Sequence, residues 1–310
     1  MIKHIFYFYI IIKMRIGTDC SGMEAPIYAL NKMGIKIQHV FSCDTDKWSK
    51  TFIKQNYTCD NCYDSIVGRN HTQLPDIDIY ICGFPCQSFS NIGAKKGMSD
   101  PRSGIKDECV SVINTKQPKI FILENVKQFT YLNKGKLIKD LVESFPDYNV
   151  QWKVLNTFDF GIPQNRERVY IVGILKDCLI KPFQFPEGGP CEPISNFLIE
   201  NKILNIPPTK NQKKFNPDWA NTDKYLFSTD QGFGNCMENK IQTITTKGSV
   251  FLSKYQRRVL PDELLLLQGF KLDLNWTGIS KTQKIKLIGN TMSVNVLIEL
   301  FKEIFKCVEI

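Results

Sequence analysis

The sequence predicts an α/β fold, a doubly wound and mostly parallel sheet joined to a small, irregular second domain. Two observations carry this. Strand-like and helix-like stretches alternate from residue 15 to residue 175, as in successive strand–helix–strand units. Then "FQFPEGGPCEP", residues 183–193, interrupts the pattern with prolines and glycines, and residues 194–256 are polar and rich in Asn, Lys and Thr. That change of character marks a linker and a region of little periodic structure.

The elements follow in order. "RIGT" (15–18) reads as a short strand and "APIYALNKMG" (25–34) as a helix stopped by Gly34. "IQHVFSC" (37–43) is a strand and "DKWSKTFIKQN" (46–56) a helix. "DIYIC" (78–82) is short and wholly apolar beyond its first residue, as a strand buried on both faces is. A helix is expected over 106–116, a strand over "KIFILEN" (119–125), and a helix over "KGKLIKDLVESF" (134–145). "QWKVLN" (151–156) and "RVYIVGIL" (168–175) are further strands. Beyond the linker come a helix at "DELLLLQGF" (262–270) and an apolar, amphipathic helix from about Ser293, able to pack back on the first domain. The expected organisation is 14–180 with 281–310 as one domain, 181–280 as a second, and 1–13 as an N-terminal extension.

The chain has 310 residues, which suits one large or two modest domains. About three quarters of its unfolded surface can be buried, so stability needs neither metal nor disulfide. The net charge of +9 favours a polyanionic partner such as nucleic acid. Eleven cysteines, an odd number scattered through apolar runs, do not form a disulfide framework. A reducing intracellular compartment is expected: cytoplasmic in a prokaryote or virus, nuclear in a eukaryote. Cys59 and Cys62 in "CDNC" have zinc spacing, but no second pair follows, and no metal is expected. The apolar run Ile5 to Ile12 is too short to span a bilayer. No cleavage site follows it, so neither a membrane anchor nor a signal peptide is expected.

Ligands of such sheets bind beyond the carboxyl ends of the strands, and several polar residues fall there. "GTDCSGMEAP" is a strand–loop–helix cradle without the G-x-G-x-x-G of dinucleotide sites, which disfavours NAD. "SGME" resembles a capping box with Ser21 as N-cap and Glu24 at N3. Pro26 fits better if the cap is at Gly22. Asp44 ends a strand where an acid could take ribose hydroxyls, or simply cap the next helix. Asp64, before an apolar residue, could meet an adenine amino group. Cys86 follows a buried strand, and Pro85 stiffens its approach, as suits a thiolate nucleophile, though a buried structural cysteine is the alternative. The loop beyond it carries Gly93, Gly97 and Gly104 with Lys95, Lys96 and Arg102, residues that permit closure and suit phosphates. Glu124 ends a run too apolar to hold a charge casually. Arg166 and Arg168, two apart on an extended segment, share a face. They and Glu124 form either a site or a plain ion-pair cluster.

"GFPCQSFS", "ENV", "QNRERVYIVG", "RRVLPDELLLLQGF" and "IGNTMSVNVL" occur in that order. Together they resemble the AdoMet-dependent cytosine-C5 DNA methyltransferases, from about Arg15 to Phe305 apart from the variable middle. The resemblance implies a Rossmann-like methyltransferase sheet and S-adenosyl-L-methionine as methyl donor, with S-adenosyl-L-homocysteine as product. It implies double-stranded DNA as substrate, and a monomer is expected. It makes Cys86 the nucleophile on cytosine C6, Glu124 the partner of the N3 and amino edge, and Arg168 with Arg166 the groups that steady cysteine and base. The target base must leave the duplex, with the 86–105 loop closing over it.

For the donor it implies Cys20, Ser21 and Gly22 at the methionine end, Asp44 and Thr45 near the ribose and adenine, and Asp64 with Ser65 or Ile66 at the adenine. Phe84 and Ile105 would be apolar walls, and Asn290 and Thr291 would return to the donor. For DNA it implies Gln87, Ser90, Lys95, Arg102 and Gln164, a phosphate contact from Thr243, and a recognition loop at "STDQGFGNCMEN" (228–239) with Gly232 and Phe233. The region 180–256 would then be the target-recognition domain.

The chain departs from the family's first motif. Cys20 replaces an aromatic, Glu24 and Ala25 replace paired glycines, and Thr45 stands where a large apolar residue often covers the adenine. Three other readings compete. A sister branch methylates tRNA, with "PPCQPF" and a Cys-Phe-Thr segment that this chain lacks. A non-catalytic DNA-binding relative would have an altered Cys86 or Glu124, and both are present. A nicotinamide oxidoreductase fails on its first loop. The target sequence, and membership of a restriction–modification pair, are not legible.

Overall fold

The computed structural model describes residues 13–85, 104–230, 235–247 and 249–309. Along the first half lie β1 (Met14–Asp19), α1 (Ala25–Lys32), β2 (Ile37–Cys43), α2 (Lys47–Asn56), β3 (Asn61–Tyr63) and β4 (Ile79–Cys82). Then come α3 (Ile105–Lys116), β5 (Ile120–Val126), α4 (Lys136–Glu143), β6 (Tyr148–Asn156), β7 (Gln164–Asn165) and β8 (Glu167–Leu175). The second half holds α5 (Lys210–Phe215), β9 (Leu226–Thr229), β10 (Cys236–Glu238), β11 (Ile241–Gln242), β12 (Val250–Leu252) and β13 (Arg257–Arg258). It ends with α6 (Pro261–Leu266), α7 (Lys281–Asn290) and α8 (Val294–Phe305).

Seven strands form the central sheet in the order β3-β2-β1-β4-β5-β8-β6. The pairs from β3 to β5 are parallel, while β8 runs antiparallel to both β5 and β6. The strand order reverses between β1 and β4, so a crevice opens beyond their carboxyl ends. Period-2 alternation divides each central strand between two cores. Ile79 and Ile81 join α1, α6 and α8 on one face, while Tyr80 and Cys82 join α3 and α4 on the other. This two-sided burial explains the unbroken apolar runs in the sequence. The apolar stripe of α8 (Val296, Leu297, Leu300, Ile304) packs back on α1, as its amphipathic pattern predicts.

The polar middle holds a second, antiparallel sheet of order β10-β9-β12-β13. Its strands are two to four residues long, too short to print an alternation on the sequence. Phe227, Val250 and Leu252 from it belong to the same apolar cluster as β1 and α8.

The expected capping box at Ser21 does not form. Helix α1 starts at Ala25, with Glu24 as N-cap in the left-handed region at φ 54° and Pro26 within the first turn. There the missing proline N–H costs nothing. The Ser21 hydroxyl instead ties the ends of β1 and β2, meeting the Thr18 and Cys43 carbonyls at 3.2 and 3.1 Å. Asp44 is not the cap of α2 either. Asp46 is, accepting from the Trp48 and Ser49 amides.

Candidate active site

A cleft lies in the crevice beyond β1 and β4, where ligands of such sheets bind. Its walls are the β1–α1 loop (Thr18 to Pro26), Ile81 and Gly83 after β4, Glu124 of β5, and Asn290, Thr291 and Met292 after α7. Residues 270 apart in the chain therefore share one cavity. Gly83 lies close to the site: a Cβ there would meet the flexible end of Met292 at 2.8 Å and Glu124 Oε2 at 3.4 Å.

Glu124 is 9% exposed at the end of an apolar strand. The Arg168 guanidinium lies 3.2 Å from its Oε1, and no other polar side chain hydrogen-bonds it among the described residues. Burial raises its pKa, and the charges of Arg168 and then Arg166 only partly oppose this. The carboxyl therefore keeps its proton to higher pH than an ordinary glutamate. A proton-holding carboxyl on the wall of a cleft is suited to donate to a ring nitrogen.

Arg168 also donates to the Glu167 carbonyl at 2.8 Å. Arg166, expected beside it at the base, is turned elsewhere. It is 3% exposed and donates to the Ile244, Gly289 and Thr291 carbonyls at 3.1, 3.4 and 2.8 Å. Residues two apart share a face only within a strand, and Arg166 precedes the first residue of β8. It holds the cleft wall at Thr291 in place. With no carboxylate bonded to it, burial pushes its pKa down.

The other expected residues divide clearly. Cys20, Ser21, Gly22, Asn290 and Thr291 line the cleft. Asp44 stands behind it, accepting from the Gly22 amide at 2.8 Å and the Asp46 amide at 2.7 Å, with its pKa raised by burial. Thr45 is exposed beside it. Asp64 is exposed, away from the cleft lining, and pairs with Lys50. Among the described residues Ser65 bonds only to Val67. Phe84 packs edge-on against Phe129 at 5.3 Å and Ile105 joins the same core, so neither walls the cleft as expected.

Gln164 is not available to DNA. It is fully buried, donates to the Leu267 carbonyl at 2.7 Å and Gln268 Oε1 at 3.1 Å, and accepts from the Ile244 amide at 3.1 Å. Thr243 donates to the Asn165 carbonyl at 2.8 Å and is half-buried. Cys86, Gln87, Ser90, Lys95, Arg102, Gly232 and Phe233 lie outside the described residues.

Sequence reasoning missed the support beneath the loop. Asp19, 1% exposed, accepts from Arg69 Nη1 and Nη2 at 2.9 and 2.7 Å and from the Tyr80 hydroxyl at 2.8 Å. Arg69 lies over the rings of Phe41 and Tyr63 at 5.2 and 5.0 Å. An acid ending an apolar strand signals a buried partner, but nothing in the sequence singles out an arginine 50 residues away.

A cleft at the switch point of a mostly parallel sheet, with a glycine-bearing first loop and a buried glutamate of raised pKa on its wall, has the features of an α/β enzyme's ligand site. Comparison with known proteins is more specific. The family described as C-5 cytosine-specific DNA methylase matches residues 19–245. The type II methyltransferase M.NgoBI of Neisseria gonorrhoeae is 33% identical over 288 residues, covering 89% of this chain and 88% of that protein. M.BsuFI of Bacillus subtilis is 31% identical over 278 residues, covering 83% of this chain but 64% of its own length. Among solved structures, the Dnmt2 methyltransferase of S. pombe superposes with a TM-score of 0.73 at 18% identity, covering 95% of this chain and 99% of that one. That likeness speaks for the fold.

The chain belongs to the C-5 cytosine-specific DNA methylase family. Its class is the AdoMet-dependent DNA (cytosine-5-)-methyltransferase. No described helix is long and apolar enough to cross a membrane.

Proposed function

We propose that the chain methylates C5 of a flipped-out cytosine in duplex DNA, with Cys86 as nucleophile and Glu124 as the acid at N3. The observation that carries this reading is Glu124 itself, a buried, proton-retaining carboxyl on the wall that also holds Cys20, Ser21, Gly22, Asn290 and Thr291. Those residues fit AdoMet: they line a cleft beyond the carboxyl ends of the switch-point strands, and its first loop follows one of those strands. When bound, AdoMet supplies an electrophilic methyl group.

The chain's own residues do the rest. The Cys86 thiolate bonds to C6 while Glu124 holds a proton at N3, which makes C6 electrophilic and leaves C5 electron-rich. Arg168 keeps Glu124 in place and partly offsets the rise in its pKa that burial causes. Once C5 carries the methyl, loss of its proton restores the double bond and releases Cys86. Gln87, Ser90, Lys95, Arg102 and Thr243 serve the DNA backbone and the displaced base. Residues 181–280, with the second sheet and the loop holding Gly232 and Phe233, read the target sequence. Asp44 serves the donor's ribose, and the enzyme works as a monomer. The type II relatives favour a role in modification.

Methyl transfer from labelled AdoMet to duplex DNA and to tRNA, run in parallel with Cys86→Ser, tests the reading. Label on DNA, abolished in the variant, is expected. Label on tRNA alone would move the chain to the RNA-acting branch, and label that survives Cys86→Ser would remove the covalent route.

A further inference from the structure

The donor-side loop holds an unusual backbone. Cys20, Gly22 and Glu24 alternate in the left-handed region at φ 51°, 55° and 54°, and all three line the cleft. Glycine tolerates this region freely, whereas residues with side chains resist it. Such conformations persist where the surroundings over-determine them. For Glu24 the surroundings are plain. Its side chain is fully buried. Its Oε1 accepts from Thr18 Oγ1 at 2.7 Å and from Ser42 Oγ at 2.6 Å, and lies 3.3 Å from His39 Nε2. Oε2 has no partner. Thr18 belongs to β1, while Ser42 and His39 belong to β2, so one carboxylate ties both strands to the start of α1.

Burying a carboxylate is expensive, and a capped helix start needs none of this. A serine or glycine at residue 24 would begin the helix without importing a charge into the core. The arrangement instead fixes the one residue whose backbone turns the loop from the cleft into the helix. We propose that Glu24 is a positioning residue for the methyl donor, its carboxylate holding the 20–24 loop in the shape that the donor binds. The proposal rests on the assignment of the cleft to AdoMet. It makes Glu24, a departure from the family's glycine pair, part of the binding device rather than a defect in it.

The test compares wild type, Glu24→Gln, Glu24→Ala and Ser42→Ala by calorimetric binding of S-adenosyl-L-homocysteine and by steady-state kinetics with varied AdoMet. Glu24→Ala keeps the unfavourable backbone and loses every anchor. Its product affinity should fall, and its KM for AdoMet rise, by about tenfold or more, with kcat at saturating donor within about threefold. Glu24→Gln retains an acceptor oxygen and should stay within about threefold of wild type on both. Ser42→Ala should raise KM by a few-fold, since it removes one anchor of several. Unchanged donor affinity in Glu24→Ala would overturn the proposal, as would a fall in kcat at constant KM. If Glu24→Ala does not fold, Thr18→Val and Ser42→Ala decide: unchanged KM in both overturns it. Failure of the wild type to bind the product would overturn the donor-site assignment itself and this role with it.

Discussion

At the junction of β13 and α6, Arg257 and Glu263 are both fully buried and fully answered. Arg257 Nη2 lies 2.6 Å from Glu263 Oε1 and Nη1 lies 2.9 Å from Oε2, while the remaining donors take the Glu200 and Arg258 carbonyls. Glu263 also accepts from the Ile199, Glu200 and Leu260 amides. At the carboxyl end of β5 the terms are reversed. Glu124 meets one guanidinium and nothing else described, and Arg166 nearby is bonded only to carbonyls. The first cluster uses charge to hold a linker, a strand and a helix together. The second leaves charge under-answered beside a cleft, as a group does when its partner is a ligand. Full satisfaction marks structure, and partial satisfaction marks chemistry.

The largest expected effect tests the second cluster. Glu124→Gln should lower kcat/KM by about 10² to 10⁴, the range for losing a positioned acid, and yet should not weaken the fold. The native pKa of Glu124 lies above its unfolded value, so its ionisation costs stability as pH rises through that window. The glutamine variant should therefore melt above wild type at pH 8, with the gap closing towards pH 4. A variant that melts lower at every pH would make Glu124 a structural anchor and break the contrast.

Arg257→Met should do the opposite. It orphans Glu263 in the core and should cost about 3–5 kcal/mol in urea unfolding, while leaving donor affinity of the folded fraction unchanged. Adding Glu263→Leu should recover only part, because three backbone amides lose their acceptor. Full recovery would show that the pair alone, and not its network, sets the cost.

Gly289→Ala probes the seam between the regions. A Cβ there would lie 2.4 Å from the backbone of Thr245, and that backbone cannot rotate aside. Destabilisation of about 1–3 kcal/mol is expected, and a neutral result would mean that the Thr243–Thr246 segment is loosely held. The smallest effect is a shift in pH. Arg168 lowers the pKa of Glu124, so Arg168→Gln should move the alkaline fall of kcat/KM to higher pH, besides reducing activity. A limb that does not move would assign it to another group.

Much of this molecule was written in its residue order. The stretches 79–82 and 120–123 are strands buried on both faces, and a fully buried strand leaves an unbroken apolar signal. Glu124 was legible because a carboxyl ends the apolar stretch of its strand, whereas Cys20, Ser21 and Gly22 were placed by the family resemblance. Period 3.6 announced α8 and its packing face. What only the tertiary structure decided are the matters that depend on partners far apart in the chain. Asp19 with Arg69, Arg257 with Glu200 and Glu263, and Glu24 with Ser42 and His39 are pairings that no local pattern encodes. Neither could spacing show that Arg166 faces carbonyls, or that Gln164 is buried behind α6. A side chain's direction depends on where its strand begins and on what packs above it. The short strands of the second sheet were hidden for the same reason: two to four residues carry no period, and only the neighbours to which they bond make them strands.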